Sequence, residues 1–181
     1  MSNYNGGNLV WLDLEMTGLD PQKDKIVEIS TIITDAHLKI LAEGPDLVIH
    51  QPASVTDNMN DWCKEHFSQS GLLDGIKKSK LSLKEAEEKT IHFIKKHCAE
   101  KTALLAGNSV HIDREFLHYQ MPKFFDYLHY RIVDVSTIKE LALRWYPKLD
   151  RYPKVEPHRA AGDILESINE LKYYQAKIFK N

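Results

Sequence analysis

The chain has 181 residues, 43% of them hydrophobic and 28% charged, with a formal net charge of −2. This length and apolar fraction suit one globular domain with a substantial core, and the absence of a basic excess excludes a protein that grips long nucleic acid through many phosphates at once. Cys63 and Cys98 lack the CxxC spacing of a thiolate zinc site and read as reduced, packed thiols of a cytoplasmic protein; the polar opening MSNYNGGN is no signal peptide, and no apolar run approaches the roughly 20 residues of a membrane helix.

The first predicted strand is NLVWLDLE (8–15), followed by a turn rich in Gly, Pro and Asp, MTGLDPQKD. The β-branched run IVEISTIITD (26–35) predicts a second strand. HLKILAEGPDLVIHQP (37–52) predicts a third, interrupted near Gly44-Pro45. Their short connections predict an antiparallel meander. A short helix falls within 55–71, with Gly71 as its stop. Residues 82–100 predict a longer helix, opened by a Ser82/Glu85 capping box and buried through Leu83, Ala86, Thr90, Ile91, Ile94 and Cys98. TALLAGN (102–108) reads as a buried strand and IDREFLHYQM (112–121) as a helix stopped by Pro122. YRIVDV (130–135) reads as a strand, followed by a helix over 136–145, a proline-bearing loop over 146–158 and a last helix over 159–179. Three strands followed by alternating helices and strands predict an α/β domain over residues 1–181, with a mixed five-stranded sheet flanked by helices.

Asp13 and Glu15 end an otherwise apolar strand, and residues two apart on a strand point to the same face. Two buried carboxylates side by side repel each other and lose hydration, a cost that a divalent cation with its preference for oxygen offsets. A solvent-exposed strand end is the competing reading. Asp113 opens a helix, where an acid also suits the helix dipole. Asp163 lies in the first turns of the last helix, four residues after Arg159, a spacing that also fits a surface ion pair. His158 ends the preceding loop, where a histidine also sits well in water.

In combination, the motifs DLEMTGLD (13–20), NSVHIDREFL (108–117) and HRAAGDILES (158–167) resemble, in order, the three motifs of the DEDDh exonuclease family, which shares a ribonuclease-H-like fold. LVWLDLEMTGLDP, AEGPDLVIHQ, FSQSGL, HYRIVDVSTIKELALRW and DILESINELKYY extend the resemblance to the oligoribonuclease branch over nearly the whole chain. The resemblance implies 3′→5′ hydrolysis of short single-stranded RNA, down to dinucleotides, to 5′-mononucleotides by a homodimer. Asp13, Glu15, Asp113 and Asp163 match acids that hold two divalent ions, Mg²⁺ or Mn²⁺, and His158 matches the general base. Gly18 and Leu19 match the turn whose leucine wedges between bases, and Trp62 matches an aromatic of the base pocket. Ser109, Arg131 and Ser136 match polar groups that hold the 5′ phosphate, and Tyr130 a residue offered across the dimer. For three of these a plainer role competes: Leu19 as a turn hydrophobe, Trp62 as core, and Ser136 as the cap of the 136–145 helix. Pro157 and Gly162 depart from the pattern without removing a matched ligand.

Overall fold

The computed structural model describes residues 7–153 and 159–179. Pro157 and His158 lie outside the described residues. One mixed sheet organises the chain, in the order β3-β2-β1-β5-β6 with β4 also paired to β2. Strand β1 (Leu9–Met16) pairs antiparallel with β2 (Ile26–Thr34), which is buried along its whole length. The predicted third strand divides into β3 (Ile40–Glu43) and β4 (Leu47–Val48), both antiparallel to β2, so the sheet has six strands where five are expected. The break follows from Gly44-Pro45. Pro45 has no N–H for the ladder, and Gly44 lies so close to β2 that a Cβ there would meet Thr31 Oγ1 at 2.4 Å.

Between the meander and the next strand come α1 (Ala53–Thr56), α2 (Asp61–Gln69), α3 (Leu72–Lys78) and α4 (Leu83–Ile94). Gly71, read as a stop, lies between two helices. Its φ of 74° suits glycine and turns the chain from α2 into the unanticipated α3. The capping box on α4 is present, with Ser82 accepting from the Glu85 N–H and Glu85 accepting from the Ser82 N–H.

Strand β5 (Leu104–Gly107) joins β1 in parallel, and β6 (Ile132–Asp134) joins β5 in parallel. Between them run α5 (Val110–Gln120) and α6 (Pro122–Tyr127). Pro122 therefore ends one helix and begins another. Proline fits the first helical position because its missing N–H has no partner there. The buried Glu87 carboxylate accepts the next two amides, Lys123 N at 2.8 Å and Phe124 N at 3.1 Å. Helices α7 (Val135–Trp145) and α8 (Ala160–Ile178) complete the chain.

The alternation of β1 divides the core. Val10, Leu12 and Leu14 pack with Phe116, Leu117 and Phe124 on the face of α4, α5 and α6. Trp11 packs on the other face with Ala142, Ile164 and Ile168 of α7 and α8, its indole N–H donating to Thr34 Oγ1 at 2.9 Å. Asp13 and Glu15 share the Trp11 face and so point toward α8. None of the helices among the described residues is long and apolar enough to cross a membrane.

Candidate active site

The last β1–β5 pair is Trp11 with Ala106. Beyond it β1 continues past the end of its neighbour, and its two acids look across an opening at the first turn of α8. There Asp13, Glu15 and Asp163 each present an oxygen, and these oxygens all lie within 4.8 Å of one another. Asp113, in the first turn of α5, reaches the same stretch of β1 from the other side, its Oδ1 accepting the Leu14 N–H at 3.0 Å. The four acids predicted from three separate motifs thus surround one end of β1.

Their electrostatics are strained. Burial above all, then the charges of Asp113, Glu15, Asp163 and Glu28, holds the Asp13 carboxyl well above the usual carboxylate range. Burial also raises Asp113, against the lowering effect of the Leu14 amide. Glu15 is pushed up to about 7, chiefly by burial and then by Glu28 and Asp163, with Arg159 opposing. A cluster that must bind protons or cations to be comfortable, made wholly of carboxylate oxygens, fits a hard divalent ion. Metal–oxygen distances of roughly 2.0–2.6 Å span such separations.

Beside the acids lies a cleft of about 540 Å³ lined in part by Glu15, Gly18, Leu19, Asn60, Trp62 and Cys63. Its rim is apolar yet bare to solvent: Leu19 is 76% exposed and Trp62 60% exposed. Trp62 is therefore not core. Its ring stacks on His66 at 3.9 Å, a partner the sequence reading does not reach. The bend that presents Leu19 closes with Thr17 N donating to Lys25 O at 3.0 Å and Asp20 N donating to Asp24 Oδ2 at 2.9 Å. A Cβ at Gly18 would meet the Asp24 carboxylate at 2.4 Å and displace it from its bonds to Thr17 and Asp20.

A polar pocket opens past the carboxyl ends of β5 and β6. Ser109 takes a left-handed conformation, φ 50° and ψ 29°, which costs a residue with a Cβ about 1–2 kcal/mol. Its N–H donates to Asp134 Oδ1 at 2.9 Å and Ser136 Oγ at 3.0 Å, and its hydroxyl lies 3.1 Å from that of Ser136. The cap of α7 is Asp134, which accepts the Ser136 N–H, so the Ser136 hydroxyl is not the cap. Asp134 also holds His111, Nδ1 to Oδ2 at 3.2 Å. Arg131 stands at the other end of β6. It precedes β6 whereas Ser136 follows it, and its guanidinium lies 5.4 Å from the exposed Tyr130 ring. Behind the serines, Asn108, Ser167 and Glu170 form a polar group to which the sequence motifs assign no role. The spacing of Asp163, Ser167 and Glu170 by four and then three residues, one face of a helix, is the signal that could have found the last two.

An all-carboxylate cluster at the end of a central strand, flanked by an apolar cleft and a polar pocket, describes a phosphodiester-cutting enzyme. The exonuclease family model, RNase_T, matches residues 10–171. The fold is similar to that of exonuclease I from Methylocaldum szegediense, with a TM-score of 0.69 over 95% of this chain and 41% of that one at 16% identity, so the chain spans about two fifths of that protein. Among curated proteins the chain is 53% identical to a probable oligoribonuclease of Dictyostelium discoideum, covering 98% of this chain and 94% of the relative. It is 49% identical to the oligoribonuclease of Haemophilus influenzae over 98% of both chains. It is 51% identical to the mitochondrial oligoribonuclease of Homo sapiens, covering 95% of this chain and 73% of that one. The chain belongs to the oligoribonuclease family and is a 3′→5′ exoribonuclease, a hydrolase.

Proposed function

We propose that this enzyme removes 3′ nucleotides from RNA strands only a few residues long, dinucleotides included, releasing 5′-mononucleotides. The observation that carries this reading is the convergence of Asp13, Glu15 and Asp163 beside the cleft lined by Leu19 and Trp62. Asp13, Glu15, Asp113 and Asp163 would hold two divalent ions, Mg²⁺ or Mn²⁺, which when bound stabilise charge on the phosphate and acidify the attacking water. His158 takes the proton of that water, a task suited to an unperturbed pKa of about 6.5. The water oxygen bonds to phosphorus, the bond from phosphorus to the preceding 3′ oxygen breaks, and that oxygen regains a proton. Leu19 and Trp62 hold the bases. Ser109 and Ser136 meet the 5′ phosphate, and Arg131 is assigned as its cationic partner. Tyr130, 69% exposed, is the residue offered to a second copy in a homodimer. A pocket that closes on a terminal phosphate gives a longer strand nowhere to continue, which fits the net charge of −2.

The test is a product ladder from 5′-phosphorylated RNAs of two to ten nucleotides, with and without added divalent ion. Turnover should be fastest on the dinucleotide and absent without the ion. Turnover that rises with length would overturn the short-strand reading. Trp62→Ala should leave stability nearly unchanged, since the ring is mostly exposed, and should raise KM roughly 5–150-fold, the worth of about 1–3 kcal/mol of base stacking. An unchanged KM would remove Trp62 from the base pocket.

A further inference from the structure

Asn108 stands directly after β5, between the pocket assigned to the 5′ phosphate and the helix that carries Asp163. Its amide is fully engaged. Nδ2 donates to Ser167 Oγ at 2.9 Å and to Glu170 Oε2 at 3.0 Å, and Oδ1 accepts from Ser136 Oγ at 3.1 Å. Ser167 in turn donates to the Asp163 carbonyl at 2.9 Å. Glu170, 2% exposed, is held from its far side by Lys139 Nζ at 3.4 Å and Tyr174 OH at 3.4 Å.

The orientation of this group is determined by its chemistry. An ionised carboxylate only accepts, so Glu170 must face the Asn108 NH₂, and the Asn108 oxygen is thereby turned to Ser136. From Ser136 the path continues to Ser109 through the Ser109 N–H. One continuous run of hydrogen bonds therefore joins Ser109 and Ser136 to the turn of α8 on which Asp163 sits. Ser167 and Glu170 are buried and Asn108 half-buried, so at this inner end moving one group strands the others.

We propose that Asn108 is a positioning residue that holds the phosphate-binding serines at a fixed distance from the Asp163 turn, and so sets the strand length the enzyme prefers. The proposal rests on the reading of Ser109 and Ser136 as the 5′-phosphate pocket. Asn108 touches neither substrate nor the reacting atoms. Its removal loosens one end of the ruler relative to the other without deleting a proposed ligand.

The experiment compares kcat/KM for a 5′-phosphorylated dinucleotide and a 5′-phosphorylated pentanucleotide in the wild-type enzyme, Asn108→Ala and Ser167→Ala. KM is also measured for the dinucleotide with and without its 5′ phosphate, and folding is checked by circular dichroism. In Asn108→Ala, which releases three hydrogen bonds, the dinucleotide-to-pentanucleotide ratio should fall about 10-fold. The loss should lie mainly in KM for the phosphorylated dinucleotide. Ser167→Ala, which removes the Asn108-to-Ser167 and Ser167-to-Asp163 bonds but keeps Glu170 and Ser136 on Asn108, should lower the ratio about 3-fold. Equal losses on both lengths, or an unchanged ratio, would overturn the proposal, and Ser167→Ala decides it if Asn108→Ala does not fold. A wild-type enzyme with no preference for short or phosphorylated strands would instead sink the underlying reading of the pocket.

Discussion

Asp13→Asn should abolish hydrolysis, lowering turnover by at least about 10³-fold, while making the ion-free protein more stable at pH 8 than the wild type. The two effects have opposite signs because they have one origin. Asp13 is half-buried among Asp113, Glu15 and Asp163, and its ionised form is disfavoured by lost hydration and by all three charges. An asparagine of the same shape removes one charge from the cluster and with it one of the oxygens proposed to hold an ion.

The pH dependence follows from linkage. Glu15 titrates at about 7 in the folded chain against an ordinary 4.5. Between those values the folded state binds the extra proton, so stability falls as pH rises from about 4.5 to about 7 and stays low above. For Glu15 alone that loss is on the order of 3 kcal/mol, and the raised carboxyls of Asp13 and Asp113 extend it in the same direction. Thermal melts of both proteins from pH 5 to pH 8.5, with and without Mn²⁺, read all of this. The ion-free wild type should lose stability with pH more steeply than Asp13→Asn, and the ion should rescue the wild type far more than the variant. If the ion-free wild type matched the variant at pH 8, the acids would be unstrained and their role in holding a metal would be lost.

The parts of this site that were legible in the sequence are those governed by local rules. Period-two alternation placed Asp13 and Glu15 on one face of β1, and local patterning placed Asp113 and Asp163 in the first turns of helices. The alternation was silent about which helix covers that face; only the fold brings α8 there. Trp62 illustrates the opposite limit. An aromatic followed by Cys63 and Phe67, both buried, reads equally well as core, and its exposure is decided by how α2 sits on the rim of the cleft. Pro122 was read as a stop because a proline ends the helix before it. That it also begins α6 depends on Glu87, 35 residues earlier, accepting the next two amides. Asn108 opens a recognised motif, but its role is not local, because its partners Ser136, Ser167 and Glu170 lie on two other helices.

Arg159→Ala should cost about 2–4 kcal/mol of stability. The sequence pairs Arg159 with Asp163 four residues on, as if both were helical. In the fold Arg159 is the N-cap of α8, with extended backbone at φ −145° and ψ 136°, so helical spacing does not govern its side chain. The guanidinium instead crosses to β2. There it grips Glu28 through Nε at 2.9 Å and through Nη2, and also reaches Asp46 at 3.5 Å. Glu28 is completely buried, receives the Ala160 N–H at 3.2 Å as well, and stands directly opposite Glu15 in the β1–β2 register. Without Arg159 that carboxylate is left charged in the interior. The guanidinium is itself 37% exposed, so the loss falls short of the 3–5 kcal/mol or so typical of a fully buried pair.

Glu28→Gln should cost less, because it removes the charge and keeps an acceptor for Ala160. The double variant should recover much of what Arg159→Ala loses, whereas Arg159→Lys, which keeps charge but not the two-pronged grip, should fall in between. Urea unfolding of the four proteins measures this. The same change should reach the chemistry, since Arg159 favours the ionised form of Glu15 and Glu28 opposes it. With the cation gone Glu15 holds its proton to higher pH, so residual activity in Arg159→Ala should rise with pH later than in the wild type. A pH–rate profile that keeps its wild-type midpoint while stability drops would confine Arg159 to the scaffold.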